Sequence, residues 1–236
     1  MHSGEIELGY LASPDGSSRA GVVIVHDVWG LSDHYRDLAR RFAAEGFTTL
    51  AVNCYRGLGT VEISDPGAWM RGLSDPDLLA QVARAAQELR DAHGSSRVAV
   101  VGFCMGGSYA LMAGCGTPGI DAVVPFYGIL SHGHGLLHAP EGLDPRKKPR
   151  EPLAAAAHLA CPLLAFFGAE DAYVPVSDVE DLKQALARTA QPSEVVVYPD
   201  AGHAFMNDTR PQAYRPEIAA DAWRRMTAFL HQHLGA

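Results

Sequence analysis

The stretch Val98-Ala99-Val100-Val101-Gly102-Phe103-Cys104-Met105-Gly106-Gly107 decides how the rest of the chain is read. A short apolar run ends in glycine, a cysteine follows two residues on, and further glycines follow that. This is the Gly-x-nucleophile-x-Gly form of a nucleophile elbow, with cysteine where serine is commoner. The glycines have a steric reason: the nucleophile sits on a tight strand-to-helix turn, and side chains two residues either side of it would collide. The pattern predicts a strand over Arg97–Gly102 and a helix over Cys104–Gly114. It places Cys104 near a helix N-terminus, whose dipole and free N–H groups favour a thiolate and an oxyanion. The bland alternative is a glycine-rich turn holding an ordinary buried cysteine.

Outward from this turn the chain alternates strand and helix. Ala20–Asp27 is an apolar run ending in polar residues, as a strand buried on both faces reads. The helix Asp33–Ala44 carries Tyr35, Leu38, Ala39 and Phe42 at helical spacing, with Gly46 beyond its end. Further strands are expected over Phe47–Asn53, Ile120–Phe126, Pro162–Gly168 and Glu194–Tyr198, and helices over Pro76–Ala92, Ser177–Arg188 and Pro216–His233. Such alternation implies a parallel sheet with helices on both faces. Residues 128–151, rich in Gly, His and Pro, are expected to form a long loop, a lid or an insertion.

The length of 236 residues suits one α/β domain, and with 47% apolar residues the chain can bury a sizeable core. A net charge of -8, with both signs interspersed, argues against nucleic acid or an anionic membrane surface as a partner. No apolar run has the length of a membrane span, and the first residues lack the pattern of a signal peptide. A cytoplasmic location with reduced thiols is therefore expected. The four cysteines, Cys54, Cys104, Cys115 and Cys161, fall in no zinc-ligand spacing. His132, His134 and His138 cluster on the long loop, but no carboxylate or cysteine pattern completes a site, so no metal is expected. Arg146–Arg150 reads as solvated.

Two more elements fit the elbow. The strand Pro162–Gly168 leads into Ala169-Glu170-Asp171, offering Asp171 as an acid with Glu170 as rival. The strand Glu194–Tyr198 leads into Gly202-His203-Ala204-Phe205, offering His203. Nucleophile, acid and histidine thus occur in the chain order of a hydrolase built on such an elbow, each after a strand. Trp29, Tyr35, Tyr127 and Phe205 are candidate pocket walls.

With these residues in view, the chain resembles the dienelactone hydrolase (carboxymethylenebutenolidase) family nearly end to end. The resembling pieces are Gly9–Pro14, His26-Asp27-Val28-Trp29-Gly30-Leu31, the helix Asp33–Ala44, Gly46-Phe47, the elbow, Gly168–Pro175 and Gly202–Phe205. The resemblance implies an α/β-hydrolase fold, a Cys104–His203–Asp171 triad without metal or organic cofactor, and an oxyanion held by the backbone N–H groups of Met105 and Val28. The family commonly has Glu, thought to activate the thiol, where this chain has Asp27, one methylene shorter. It also has an Arg four residues after the catalytic histidine, where this chain has Asn207. Arg56, Arg71 and Arg210 are the cations that would compensate, and Arg56, just after a strand end, is the one expected near the pocket.

The expected activity is cleavage of a lactone or activated ester, a small-molecule substrate, by a monomer or small homo-oligomer. Sulfur favours such substrates because a thiolate is readily expelled from a tetrahedral intermediate unless the competing leaving group is good. The alternatives are a general carboxylesterase or thioesterase acting on neutral esters, and a non-catalytic binding protein of hydrolase fold.

Overall fold

The computed structural model describes residues 1–16, 18–59 and 61–235. Strands β1 (His2–Ile6), β2 (Gly9–Ser13), β3 (Ala20–Val25), β4 (Thr48–Val52), β5 (Arg97–Phe103), β6 (Ala122–Phe126), β7 (Leu163–Gly168) and β8 (Ser193–Tyr198) form one sheet, in the order β1-β2-β4-β3-β5-β6-β7-β8. From β4 to β8 neighbouring strands run parallel, whereas β1 and β2 form an antiparallel hairpin laid against β4. The helices are α1 (Asp33–Ala44), α2 (Pro66–Gly72), α3 (Asp75–Asp91), α4 (Met105–Gly114), α5 (Pro152–Ala156), α6 (Val176–Leu186) and α7 (Pro216–Leu234). None of the described helices is long and apolar enough to cross a membrane.

Strand periodicity distributes the core. Along β3, Val22 and Ile24 face one side and pack with Leu38 and Phe42 of α1 and Met226 and Leu230 of α7. Val23 and Val25 face the other, with Leu78 and Val82 of α3, Leu111 of α4 and Val179 and Leu182 of α6. All six residues of β3 are buried, which is why it reads as continuously apolar.

After β3 the chain moves outward to β4, then returns to lay β5 on the other side of β3. Strand order reverses there, and it is outside the carboxyl ends of strands at such a reversal that ligands bind in open α/β sheets.

The expected strands and helices all form, within a few residues at their ends. Three pieces lie outside the expectations: the β1–β2 hairpin, α2, and two short helical segments, a 3-10 turn at Gly135–Leu137 inside the long loop and α5 just after it. Arg146, Lys147, Pro149 and Arg150 are exposed, in keeping with the solvated reading of that segment, but Lys148 departs from it and ties the loop down. Lys148 is buried, and its Nζ donates to Asp75 Oδ1 at 2.6 Å and to Tyr109 Oη at 3.3 Å. Asp75 lies at the start of α3 and Tyr109 in α4, so three segments meet at one buried ion pair.

Candidate active site

Cys104 joins β5 to α4 with φ 56° and ψ -118°, a conformation that a residue with a Cβ adopts only under constraint. The constraint is bare backbone in contact. A Cβ on Gly102 would lie 1.9 Å from the Gly106 carbonyl oxygen, one on Gly106 2.1 Å from that of Val25, and one on Gly107 2.5 Å from that of Phe126. The first turn of α4 therefore rests directly on the carboxyl ends of β3 and β6. The Cys104 N–H donates to the Phe126 carbonyl at 3.0 Å, and the residue is 9% exposed.

Asp171 follows β7 and its carboxylate is fully buried. Oδ1 accepts from the N–H groups of Tyr173 at 2.8 Å and Val174 at 3.3 Å, and Oδ2 from His203 Nδ1 at 2.8 Å. The rival Glu170 is exposed. The His203 ring stands edge-on between Tyr127 and Tyr173, 5.0 Å from each. Its Nε2 is buried without a hydrogen-bond partner among the described residues. Burial alone disfavours the imidazolium. The charge of a Cys104 thiolate and the hydrogen bond to Asp171 outweigh it, and the His203 pKa is pushed up to about 10.

The loop after β3 carries Asp27, Val28 and Trp29. Among the described residues the Val28 N–H donates to no other group, and Met105, as the first residue of α4, has no helical partner for its own. The contact of Gly106 with the carbonyls of Val25 and His26 brings the two segments together. Asp27 is turned elsewhere than its expected role requires. Its Oδ1 accepts from the Trp29 N–H at 2.9 Å and its Oδ2 faces Arg210 at 3.4 Å. Among the described residues it makes no hydrogen bond to Cys104, as its shorter side chain would suggest.

The remaining pocket residues divide. Tyr127 and Phe205 are buried against each other at 5.2 Å, and Tyr127 packs on His203. Trp29 is 49% exposed and lies under the Arg210 guanidinium, 5.8 Å from the ring centre. Asn207 is buried, its Oδ1 taken by Thr209 through both N–H, at 3.0 Å, and hydroxyl, at 2.6 Å. Arg56 does not join this group. It pairs with Glu7 at 2.8 Å and lines a cavity of about 490 Å³ with Cys54, Trp69, Leu73 and Gln81 but with none of Cys104, Asp171 and His203. The cation next to Asp27 is Arg210, three residues beyond Asn207 on a turn that the sequence does not announce. Arg71 is likewise spent, donating to the Leu136 carbonyl at 2.7 Å.

The other thiols are poor nucleophiles: burial pushes Cys54, Cys115 and Cys161 up to about 12. The three loop histidines go separate ways. His134 pairs with Asp178 at 2.9 Å, His132 buries an Nε2 without a partner among the described residues, and His138 is exposed.

An elbow of this geometry on an eight-stranded, mostly parallel sheet, with acid and histidine after later strands, defines an α/β-hydrolase fold. The model of the dienelactone hydrolase family matches residues 8–234, and the chain belongs to that family. It is 32% identical over 234 residues to a Salmonella typhimurium protein named "Putative carboxymethylenebutenolidase", covering 96% of this chain and 83% of that one. A crystal structure of a "Putative Dienelactone Hydrolase" from Klebsiella pneumoniae superposes with a TM-score of 0.83 at 32% identity, covering 94% of this chain and 92% of the other. An esterase from Pyrococcus furiosus shares the fold at a TM-score of 0.70 and 18% identity, over 99% of this chain and 93% of its own.

Proposed function

We propose that this hydrolase cleaves lactones or activated carboxylic esters through a thioester acyl-enzyme on Cys104. The observation that supports this best is the arrangement around His203. One ring nitrogen is held by the buried Asp171 carboxylate at 2.8 Å, the other is buried and unbonded, and Cys104 is near enough to perturb the ring's titration. Asp171 fixes the tautomer and stabilises the imidazolium.

In the reading we favour, His203 holds the proton of Cys104 and the thiolate attacks the ester carbonyl. The resulting oxyanion takes hydrogen bonds from Val28 N–H and Met105 N–H. Collapse of the tetrahedral intermediate breaks the carbon–oxygen bond, and His203 returns its proton to the departing alkoxide or enolate. Water, deprotonated by His203, then attacks the thioester, releases the acid and restores the thiol. Sulfur is itself a good leaving group, so the first step goes forward only when the leaving alcohol is also good. Enol lactones and aryl esters fit that requirement and amides do not.

A second reading, a general carboxylesterase or thioesterase on neutral esters, is favoured by Asn207. Its side chain carries no charge, and its oxygen is already committed to Thr209. Turnover of a panel of lactones and aryl esters, each as free acid and methyl ester, separates the two. The nucleophile is tested by Cys104→Ala, which should abolish turnover while the far-UV spectrum stays unchanged. Iodoacetamide should inactivate the parent with the label on Cys104. Full turnover by the Ala variant would remove Cys104 from the mechanism, and a parent inert to every ester would favour a binding protein.

A further inference from the structure

His26, the residue after β3, is fully buried. Its Nε2 lies 3.1 Å from the Cys54 backbone nitrogen and its Nδ1 2.6 Å from the Asp27 carbonyl oxygen. Cys54 N–H can only donate, so Nε2 must present its lone pair. Burial pushes the imidazole's pKa down, which keeps the ring neutral and leaves its single proton on Nδ1. The ring therefore donates to the Asp27 carbonyl.

That carbonyl belongs to the same peptide unit as the Val28 N–H. In a planar trans peptide the two groups point in opposite directions, so anchoring the oxygen on one side aims the N–H on the other. The oxygen also accepts from the Gly30 N–H at 3.2 Å. The next peptide is anchored in the same way, by Tyr55 Oη donating to the Val28 carbonyl at 2.7 Å, and the Tyr55 and His26 rings meet edge-on at 4.9 Å. Donation to an amide oxygen also polarises its N–H and strengthens the hydrogen bond which that N–H gives.

We propose that His26 is a positioning residue for the oxyanion: its Nδ1–H aims and polarises the peptide whose N–H, at Val28, meets the developing charge. The proposal rests on the reading of Cys104 as nucleophile and Val28 as oxyanion donor. The competing role is a plain staple, in which His26 matters only because it joins the ends of β3 and β4 through the Cys54 N–H.

The two hydrogen bonds are separable by substitution. The amide of Asn reaches about as far as Nδ1, so His26→Asn keeps a donor for the Asp27 carbonyl and gives up the Cys54 contact. The amide of Gln reaches about as far as Nε2, so His26→Gln keeps the contact to Cys54 and gives up the other. For both variants three quantities are measured: single-turnover acylation by an activated aryl ester, alkylation of Cys104 by iodoacetamide, and the melting temperature. Alkylation needs the thiolate but no oxyanion.

Loss of one oxyanion donor costs roughly 10²–10³ in rate. A donor that is misaimed rather than removed should cost about tenfold to a hundredfold. His26→Gln is expected to lose that much in acylation, with alkylation nearly unchanged. His26→Asn is expected to acylate within a few-fold of the parent even if it melts earlier. Acylation by His26→Gln at the parent rate, or an equal loss in both variants, would overturn the proposal in favour of the staple. Alkylation falling in step with acylation would overturn it too, by placing the damage at the thiol. Turnover by Cys104→Ala would instead strike the reading on which the proposal rests, and the two failures are distinguishable.

Discussion

Replacing Lys148 by Met should destabilise this protein more than its place in a basic loop segment suggests. The Lys148 and Asp75 side chains are 3% and 4% exposed, with Nζ 2.6 Å from Oδ1. Burial pushes the Lys148 pKa down, and the Asp75 carboxylate works against that shift. Removing the ammonium leaves Asp75 buried, with the Tyr109 hydroxyl donating at 2.7 Å as its remaining side-chain partner. Stranding one member of a buried pair costs about 3–5 kcal/mol, whereas replacing both members by apolar or neutral groups is often close to neutral. For a chain of this size each kcal/mol moves Tm by about 2–4 °C, so Lys148→Met should melt roughly 6–20 °C lower. The double variant Lys148→Met/Asp75→Asn should recover most of that loss. Thermal unfolding by circular dichroism on the four proteins of the cycle measures both. Limited proteolysis should show new cleavage within residues 128–151 in the single variant alone. A single variant that loses less than about 1 kcal/mol, or a double variant no better than the sum of the singles, would refute the reasoning.

Three other outcomes are expected. Gly106→Ala places a Cβ 2.1 Å from the Val25 carbonyl oxygen, a clash that rigid strand backbone cannot relieve; expression should yield insoluble or inactive protein, and a soluble, fully active variant would contradict the packing described. Because the folded pKa of His203 is raised to about 10, above an unfolded value of about 6.5, the folded chain holds the extra proton between those limits. The stability it contributes is complete below about 6.5 and lost as pH rises through about 10, so nitrogen NMR should find the ring protonated at neutrality in the parent, and in Cys104→Ala its titration should move down. Arg210 is 40% exposed and only 3.4 Å from its Asp27 partner, which leaves it able to meet a substrate carboxylate under solvent screening; Arg210→Ala should lower kcat/KM for a carboxylate-bearing lactone about tenfold and leave the methyl ester nearly unchanged, and equal effects on both would show that Arg210 acts only through Asp27.

The sheet, and the places of Cys104, Asp171 and His203 just past its strands, are legible because each rests on local signals. Strands buried on both faces read as apolar runs, and glycines that admit no Cβ mark the elbow. Asp171 and His203 each come just past such a run. The edge hairpin escaped because β1 is mostly exposed and carries His2, Ser3 and Glu5, with little apolar alternation to detect. Lys148 escaped because its partner is 73 residues away and its neighbours Lys147 and Arg146 are exposed. Arg56 comes just after a strand end, which suggests the pocket, but Glu7, on the turn between β1 and β2, draws it aside. Arg210 reaches Asp27 through a turn built on Asn207 and Thr209. Such placements depend on tertiary partners, which composition and periodicity do not encode.

The strained backbone at Cys104 also bears on how the molecule comes into being. Three contacts hold that turn, and they draw on β3, β5 and β6, strands joined by long excursions of the chain; Ala20 pairs with Arg97, and Phe103 with Phe126. Until those strands have docked, nothing compels a cysteine into a left-handed conformation, and α4 can begin without it. On refolding from denaturant, helical ellipticity should therefore return before esterase turnover, and the interval between them should report the closing of the central sheet. Catalysis here serves as a clock for the last event of folding, and no partly assembled intermediate should register on it.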